Sequence, residues 1–221
     1  MSDLPDRATD CSLTKDRLRT AILDRRRKLG ERQVTAARIQ VQATLRELVR
    51  HTATVQVAAY VPVGREPGGP DLPARLAELV GRSDQVLLPV LLADGDLDWA
   101  AFGGPVGLRG TGHGLIEPTG PRLGPSAVAD AGLVVVPALA VDTRGVRLGR
   151  GGGSYDRALT RVSSHVPVVA LLYDGEILAE VPAEPHDRPV TAAVTPAGLR
   201  RLPATSVRGR PPPDRGWPPS R

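Results

Sequence analysis

The sequence predicts a three-layer α/β fold, an open and mostly parallel sheet with helices on both faces and a small β-hairpin excursion. Three observations carry that prediction. Stretches with apolar residues at helical spacing alternate with short apolar runs, the order expected of strand–helix units. Residues 133–141 are apolar without interruption, as in a strand covered on both faces. A glycine-rich turn at 149–153 then leads into helical periodicity from Ser154, completing one strand–turn–helix unit. With 41% hydrophobic residues among 221, the chain can bury one substantial core. Only 3% are aromatic, so Leu, Val and Ala must fill it.

Residues 1–11 read as a disordered lead-in, 12–199 as a single domain, and 200–221 as a disordered tail rich in Pro and Arg. Leu18, Ile22 and Leu29, and after Gly30 the set Val34, Val41, Leu45 and Leu48, recur near helical spacing and predict two helices. Residues 55–61 read as the first strand. It runs into a Pro/Gly loop at 62–70, of the kind on which α/β folds place ligand residues. Glu66 is the one acid in that loop. Leu72, Leu76, Leu79 and Val80 stripe a short helix ended by Gly81. Residues 85–92 form a second strand, Asp94-Gly95 a hairpin turn and residues 97–102 the returning strand. Trp99 and Phe102 are expected to pack under this hairpin rather than to offer a ligand platform. Residues 103–125 are rich in loops. After the central strand, turn and helix, residues 166–173 read as a further buried strand and 191–195 as a last short one.

The turn carries the chemistry. Four glycines in the five positions 149–153 remove the Cβ atoms that hold a ligand off the main chain, so the amides can close on phosphate oxygens at a helix start. Arg147 and Arg150 supply counter-charge. Asp156, in the first helical turn, favours the helix dipole and also stands where a magnesium ligand beside bound phosphates would sit. Turn geometry alone asks for glycines too, so the residues by themselves leave a plain strand–helix connection open. Two standard phosphate motifs do not match. The Gly-Lys-Ser/Thr ending of a P-loop is missing, and a G-x-G-x-x-G frame from Gly149 meets Ser154 at its third glycine. Elsewhere, Lys15 and Arg19 lie four apart on one helix face, a spacing that by itself reads as a solvated basic face. His186-Asp187 lies in a loop, where such a pair is commonly a surface turn.

Residues 136–142 (Val-Pro-Ala-Leu-Ala-Val-Asp), Gly145 and residues 147–157 (Arg-Leu-Gly-Arg-Gly-Gly-Gly-Ser-Tyr-Asp-Arg) resemble the signature of the 5-formyltetrahydrofolate cyclo-ligase family, also called methenyltetrahydrofolate synthetase. The family often has Tyr where this chain has Ser154, and some members carry Lys in place of Gly152. The likeness spans about residues 15–196. Residues 15–19 (Lys-Asp-Arg-Leu-Arg) are similar to the family's Lys-x-x-Leu-Arg start, Glu66 to its glutamate after the first strand, and Asp187 to its second acidic position. The resemblance implies an open-sheet ligase of folate one-carbon chemistry. Its reaction turns 5-formyltetrahydrofolate and ATP into 5,10-methenyltetrahydrofolate, ADP and phosphate, through phosphorylation of the formyl oxygen and attack by N10. It also implies residue roles: Lys15, Arg147 and Arg150 as catalytic cations, and Arg19 and Glu66 on the folate. Lys15, Arg19, Arg147, Leu148, Gly149, Arg150, Gly151, Gly152, Gly153, Ser154 and Tyr155 would surround ATP, with Mg²⁺ on Asp156 and Asp187.

Composition narrows the alternatives. The net charge of +5 is unevenly spread: residues 12–50 carry +7, residues 51–199 carry −5 and residues 200–221 carry +5. An acidic body with basic ends fits an anionic small-molecule site, and the aromatic platforms of single-strand binders are missing, which argues against nucleic acid. The lone Cys11 excludes an internal disulfide or a cysteine metal site. No apolar run approaches the roughly 18 residues of a membrane helix, and the polar, acidic start is unlike a secretory signal. The expectation is a soluble cytoplasmic monomer acting on small molecules. A dinucleotide-binding oxidoreductase is the runner-up, because Asp174 lies 25 residues beyond Gly149, where a ribose-binding acid would be.

Overall fold

The computed structural model describes residues 7–203 apart from position 113. Two long helices come first, α1 (Arg7–Arg27) and α2 (Glu31–Thr52), broken at Gly30. α1 begins ahead of the expected Ser12, so residues 7–11, read as a lead-in, are helical. Next come β1 (Val57–Ala58), α3 (Leu72–Val80), β2 (Val86–Leu91) and β3 (Leu97–Ala101). The loop-rich stretch holds a two-stranded ribbon, β4 (Leu108–Gly110) with β5 (Ile116–Pro118). Then follow β6 (Leu133–Pro137), β7 (Ala140–Asp142), β8 (Arg147–Leu148), α4 (Ser154–Leu159), β9 (Val168–Leu171), β10 (Ile177–Leu178), β11 (Ala192–Thr195) and β12 (Gly198–Arg201).

Seven strands form the main sheet in the order β12-β11-β9-β6-β1-β2-β3. The five central strands are parallel, and β3 and β12 join antiparallel at the two edges. Side-chain alternation sorts each strand between two cores. Val57, Leu88, Leu133, Val135 and Leu171 meet Leu45, Leu48, Leu72 and Leu76 of α2 and α3 on one face. Ala58, Leu87, Val134, Val136 and Ala170 meet Ala158 and Leu159 of α4 on the other. The expected open, mostly parallel sheet with its hairpin excursion is therefore the observed architecture. α3 ends as its sequence dictates, with Gly81 at φ 80° donating its N–H to the Ala77 carbonyl at 3.0 Å. Trp99 and Phe102 are core side chains, 1% and 4% exposed.

Three features depart from the sequence reading. The apolar run 133–141 is not one strand: it breaks at Ala138-Leu139, and β7 leaves the main sheet for a three-stranded one, β10-β7-β8. α1 packs on that small sheet, where Ile22 meets Leu139, Ala140, Leu148 and Val181. The last strand has an antiparallel partner, β12, so the sheet extends to Arg201, past the expected tail boundary at 200. The rest of that tail, from 204, lies outside the described residues.

Candidate active site

A cavity of about 480 Å³ opens beyond the carboxyl ends of β1, β2 and β6, where open α/β sheets bind ligands. One wall is built from the β7–β8 hairpin and the glycine loop. The hairpin is shaped by Asp142, whose fully buried carboxylate accepts the N–H groups of Arg144 (2.8 Å), Val146 (2.9 Å) and Val181 (3.2 Å) as well as the Arg144 guanidinium. Burial works against that charge, but the Arg144 and backbone hydrogen bonds outweigh it and hold the carboxyl below its usual range.

Gly145 closes the same turn at φ 89°, and a Cβ there would stand 2.4 Å from the Val190 carbonyl oxygen. Its own carbonyl accepts the Val190 N–H at 2.8 Å, which fixes the hairpin to the loop bearing Asp187. Gly145→Ala is expected to lower stability by about 2–4 kcal/mol, combining left-handed strain with a backbone clash. A denaturant midpoint equal to that of the native sequence would refute this.

β8 delivers Arg147 into the cavity. Its guanidinium is buried, donates to Asp156 Oδ1 at 3.0 Å and lies 5.7 Å over the Tyr155 ring. The glycine loop follows, with Gly151 at φ 109° and Gly153 at φ 68° capping α4. α4 has only six residues, so the positive potential of this wall comes from loop amides and arginines more than from a helix dipole. Gly149, Gly151, Gly152, Gly153, Ser154 and Tyr155 all face the cavity. Leu148 does not: its side chain is 1% exposed and packs with Ile22 and Val181. Strand alternation turns Leu148 away because Arg147 points in.

α1 supplies the second wall. Lys15 is 6% exposed, and its Nζ sits 2.6 Å from Glu184 and 2.9 Å from Asp187. Burial opposes its charge, but hydrogen bonds and attraction from the two acids prevail and raise its pKa, so Lys15 stays cationic through the neutral range. Arg19 donates Nε–H to the Gly149 carbonyl at 3.0 Å and pairs with Asp16. Across the cavity Arg150 meets Glu66 at 2.9 Å, and the other Glu66 oxygen accepts the Val63 N–H at 3.0 Å. Pro89, Leu91, Leu97, Ile116 and Leu139 make the remaining lining apolar. Tyr60 joins them, and burial pushes its hydroxyl pKa and that of Tyr155 well up.

Sequence reasoning placed Lys15, Arg19, Glu66, Arg147, Arg150, Asp156 and Asp187 in the site, and all of them line this one cavity. It missed Glu184, His186, Arg157 and Tyr60 as lining residues. Glu184, three positions before Asp187, was the legible one; it brings a carboxylate within 4.8 Å of donor atoms on His186 and Asp187. Glu117, by contrast, holds the cavity rim by accepting the Leu91 N–H at 3.0 Å. Asp174 is not a lining residue: it is exposed, and its Oδ1 accepts the Ala197 N–H at 3.1 Å. A dinucleotide site therefore lacks its ribose acid. Among the described residues, no helix is long and apolar enough to cross a membrane.

Comparison with known proteins agrees with this arrangement. The 5-formyltetrahydrofolate cyclo-ligase of Mycolicibacterium smegmatis is 41% identical over 188 residues, covering 83% of this chain and 94% of that protein. The solved structure of Aquifex aeolicus 5,10-methenyltetrahydrofolate synthetase superposes with a TM-score of 0.70 at 28% identity, over 90% of this chain and 97% of that one. The corresponding synthetase structure from Mycoplasma pneumoniae, 17% identical, shares the fold with a TM-score of 0.65 over 82% of this chain and 98% of that one. The family model described as 5-formyltetrahydrofolate cyclo-ligase matches residues 12–196, which include both cavity walls, the glycine loop and the Asp187 loop, and the chain belongs to that family.

Proposed function

We propose that this protein converts 5-formyltetrahydrofolate and ATP into 5,10-methenyltetrahydrofolate, ADP and phosphate. The carrying observation is the junction of two environments in one cavity: a glycine loop flanked by Arg147, Arg150 and Lys15, facing an apolar wall that holds Glu66. Phosphates suit the first and a flat pterin ring the second. The formyl oxygen of an amide is a poor leaving group, so ATP first transfers its terminal phosphoryl group to that oxygen. N10 of the folate then attacks the formyl carbon, the carbon–oxygen bond breaks with departure of phosphate, and the N10 proton is lost.

No side chain has to act as nucleophile, so the protein's part is positioning and neutralisation of phosphoryl charge. Lys15, Arg147 and Arg150 hold the phosphates beside the amides of residues 149–153. Glu66 accepts hydrogen bonds from the pterin's ring donors, and Arg19 orients the substrates from α1. Glu184, His186 and Asp187 bring ligand atoms within 4.8 Å of one another and Asp156 lines the same cavity, so carboxylate oxygens of the kind that suit Mg²⁺ are at hand. When bound there, the ion would screen the phosphates, with Asp156 and Asp187 as its holders. Arg147 is paired with Asp156, Lys15 with Asp187 and Arg150 with Glu66. Substrate binding therefore exchanges internal ion pairs for phosphate, metal and pterin contacts. We assign the chain a monomeric, cytoplasmic role.

The test is direct. Purified protein mixed with 5-formyltetrahydrofolate, ATP and Mg²⁺ is expected to produce the near-ultraviolet absorbance of the methenyl product, and omission of ATP or Mg²⁺ to abolish it. A folded protein giving no such rise would overturn the assignment.

A further inference from the structure

We infer that Arg157 is a phosphate-binding residue of this site, engaging the nucleotide's triphosphate from the α4 side of the glycine loop. The inference rests on the proposed ATP-dependent reaction and adds a residue to it. Its basis is the charge pairing of the cavity wall. Five lysine and arginine side chains line the cavity: Lys15, Arg19, Arg147, Arg150 and Arg157. The first four each have a carboxylate partner, respectively Asp187 with Glu184, Asp16, Asp156 and Glu66. Arg157 has none among the described residues.

Its guanidinium is held by main-chain carbonyls instead. Nη2 donates to the Gly95 oxygen at 2.5 Å and to the Gly152 oxygen at 3.1 Å, while Nη1 and Nε make no hydrogen bond among the described residues. Nη1 lies 3.2 Å from where a Cβ on Gly153 would be, so the unused donor sits against the glycine loop itself. Gly152 leaves the adjoining space open, its nearest neighbour to a built Cβ being Ser154 Oγ at 3.5 Å. Asp96, an acid that interacts with Arg157 at longer range, is already bonded to Arg161 at 2.5 Å. Each of the other four cations has part of its charge offset by a carboxylate in direct contact. At Arg157 an anion meets a guanidinium bonded to carbonyls rather than to a carboxylate, with donors left over in a planar fork, the geometry that suits phosphate. The two carbonyl contacts fix that fork between the β2–β3 hairpin and the loop, which limits the ordering needed on binding.

The experiment compares the native chain with Arg157→Gln and Arg157→Lys in two readouts. Calorimetry with inorganic tripolyphosphate and no folate measures anion binding alone, and steady-state kinetics give KM for each substrate. Arg157→Gln is expected to weaken tripolyphosphate binding and to raise KM for ATP by about tenfold, a typical loss for one charge-assisted contact. KM for the folate and the thermal midpoint should stay as they were, and Arg157→Lys should recover most of the lost affinity. Glutamine binding tripolyphosphate as tightly as arginine would overturn the inference, whatever the folate turnover. So would a native chain that binds no tripolyphosphate, or a lowered thermal midpoint with both KM values raised, which would make Arg157 a structural clamp. A native chain without folate turnover, in which the tripolyphosphate contrast persists, would overturn the proposed reaction and leave the phosphate assignment standing.

Discussion

Asp156→Asn is expected to lower kcat/KM by roughly 10²- to 10³-fold, the scale for removing one preorganised charge from a phosphoryl-transfer site. The carboxylate stands in the first turn of α4 and accepts hydrogen bonds from Arg147 Nη2 at 3.0 Å and from the Arg188 N–H at 3.1 Å. Asparagine keeps an oxygen for the Arg188 amide, so the loop carrying Asp187 remains attached and the fold persists. What is lost is the negative charge, which both orients the buried Arg147 guanidinium and serves as a candidate metal ligand. A Mg²⁺ titration separates the two roles. If Asp156 holds the ion, the half-saturating Mg²⁺ concentration rises in the variant. If it only aligns Arg147, that concentration is unchanged while turnover falls. Turnover within threefold of the native chain at saturating Mg²⁺ would refute both.

The largest expected effect on stability lies away from the glycine loop. Arg26 and Glu176 are 4% and 0% exposed and form a two-pronged ion pair, Nε to Oε1 at 2.8 Å and Nη2 to Oε2 at 2.7 Å. Arg26 also donates to the Ala138 carbonyl at 2.9 Å and lies 5.5 Å over the Tyr173 ring. The pair ties α1 to the cavity floor and so places Lys15 and Arg19. Glu176→Ala would leave Arg26 as an uncompensated buried charge, and is expected to lower unfolding free energy by about 3–5 kcal/mol. The double variant Arg26→Met/Glu176→Ala should lose less than the two single variants added together, because neither charge is then stranded. Denaturant unfolding of the four proteins measures this, and a Glu176→Ala loss under 1 kcal/mol would contradict it. Activity should fall in the single variants through a higher KM for ATP, since α1 positions Lys15 without itself entering the main sheet.

What could be read from the sequence is local. The stripe of α3 with its Gly81 stop, the Asp94-Gly95 hairpin, the alternation of buried strands and the strand–glycine turn–helix order each follow from short-range rules of periodicity and backbone freedom. The Lys15–Arg19 pair and Asp187 became legible as site residues only through family resemblance, since spacing alone also fits solvated charges. Tertiary structure decided the rest. Nothing in the run 133–141 marks where it leaves one sheet for another, because every residue is apolar in either setting. Arg26 sits in a basic run, Arg25-Arg26-Arg27-Lys28, in which only one member is buried; its partner is 150 positions away. β12 carries Arg200 and Arg201 and reads as tail, yet the free edge of β11 recruits it as an edge strand, where charged side chains are well tolerated. The charge pattern of the cavity is likewise a property of the fold. That Lys15 meets Glu184 and Asp187, that Arg150 meets Glu66, and that Arg157 is bonded to carbonyls and to no carboxylate among the described residues depend on contacts between segments far apart in the chain, which no local pattern encodes.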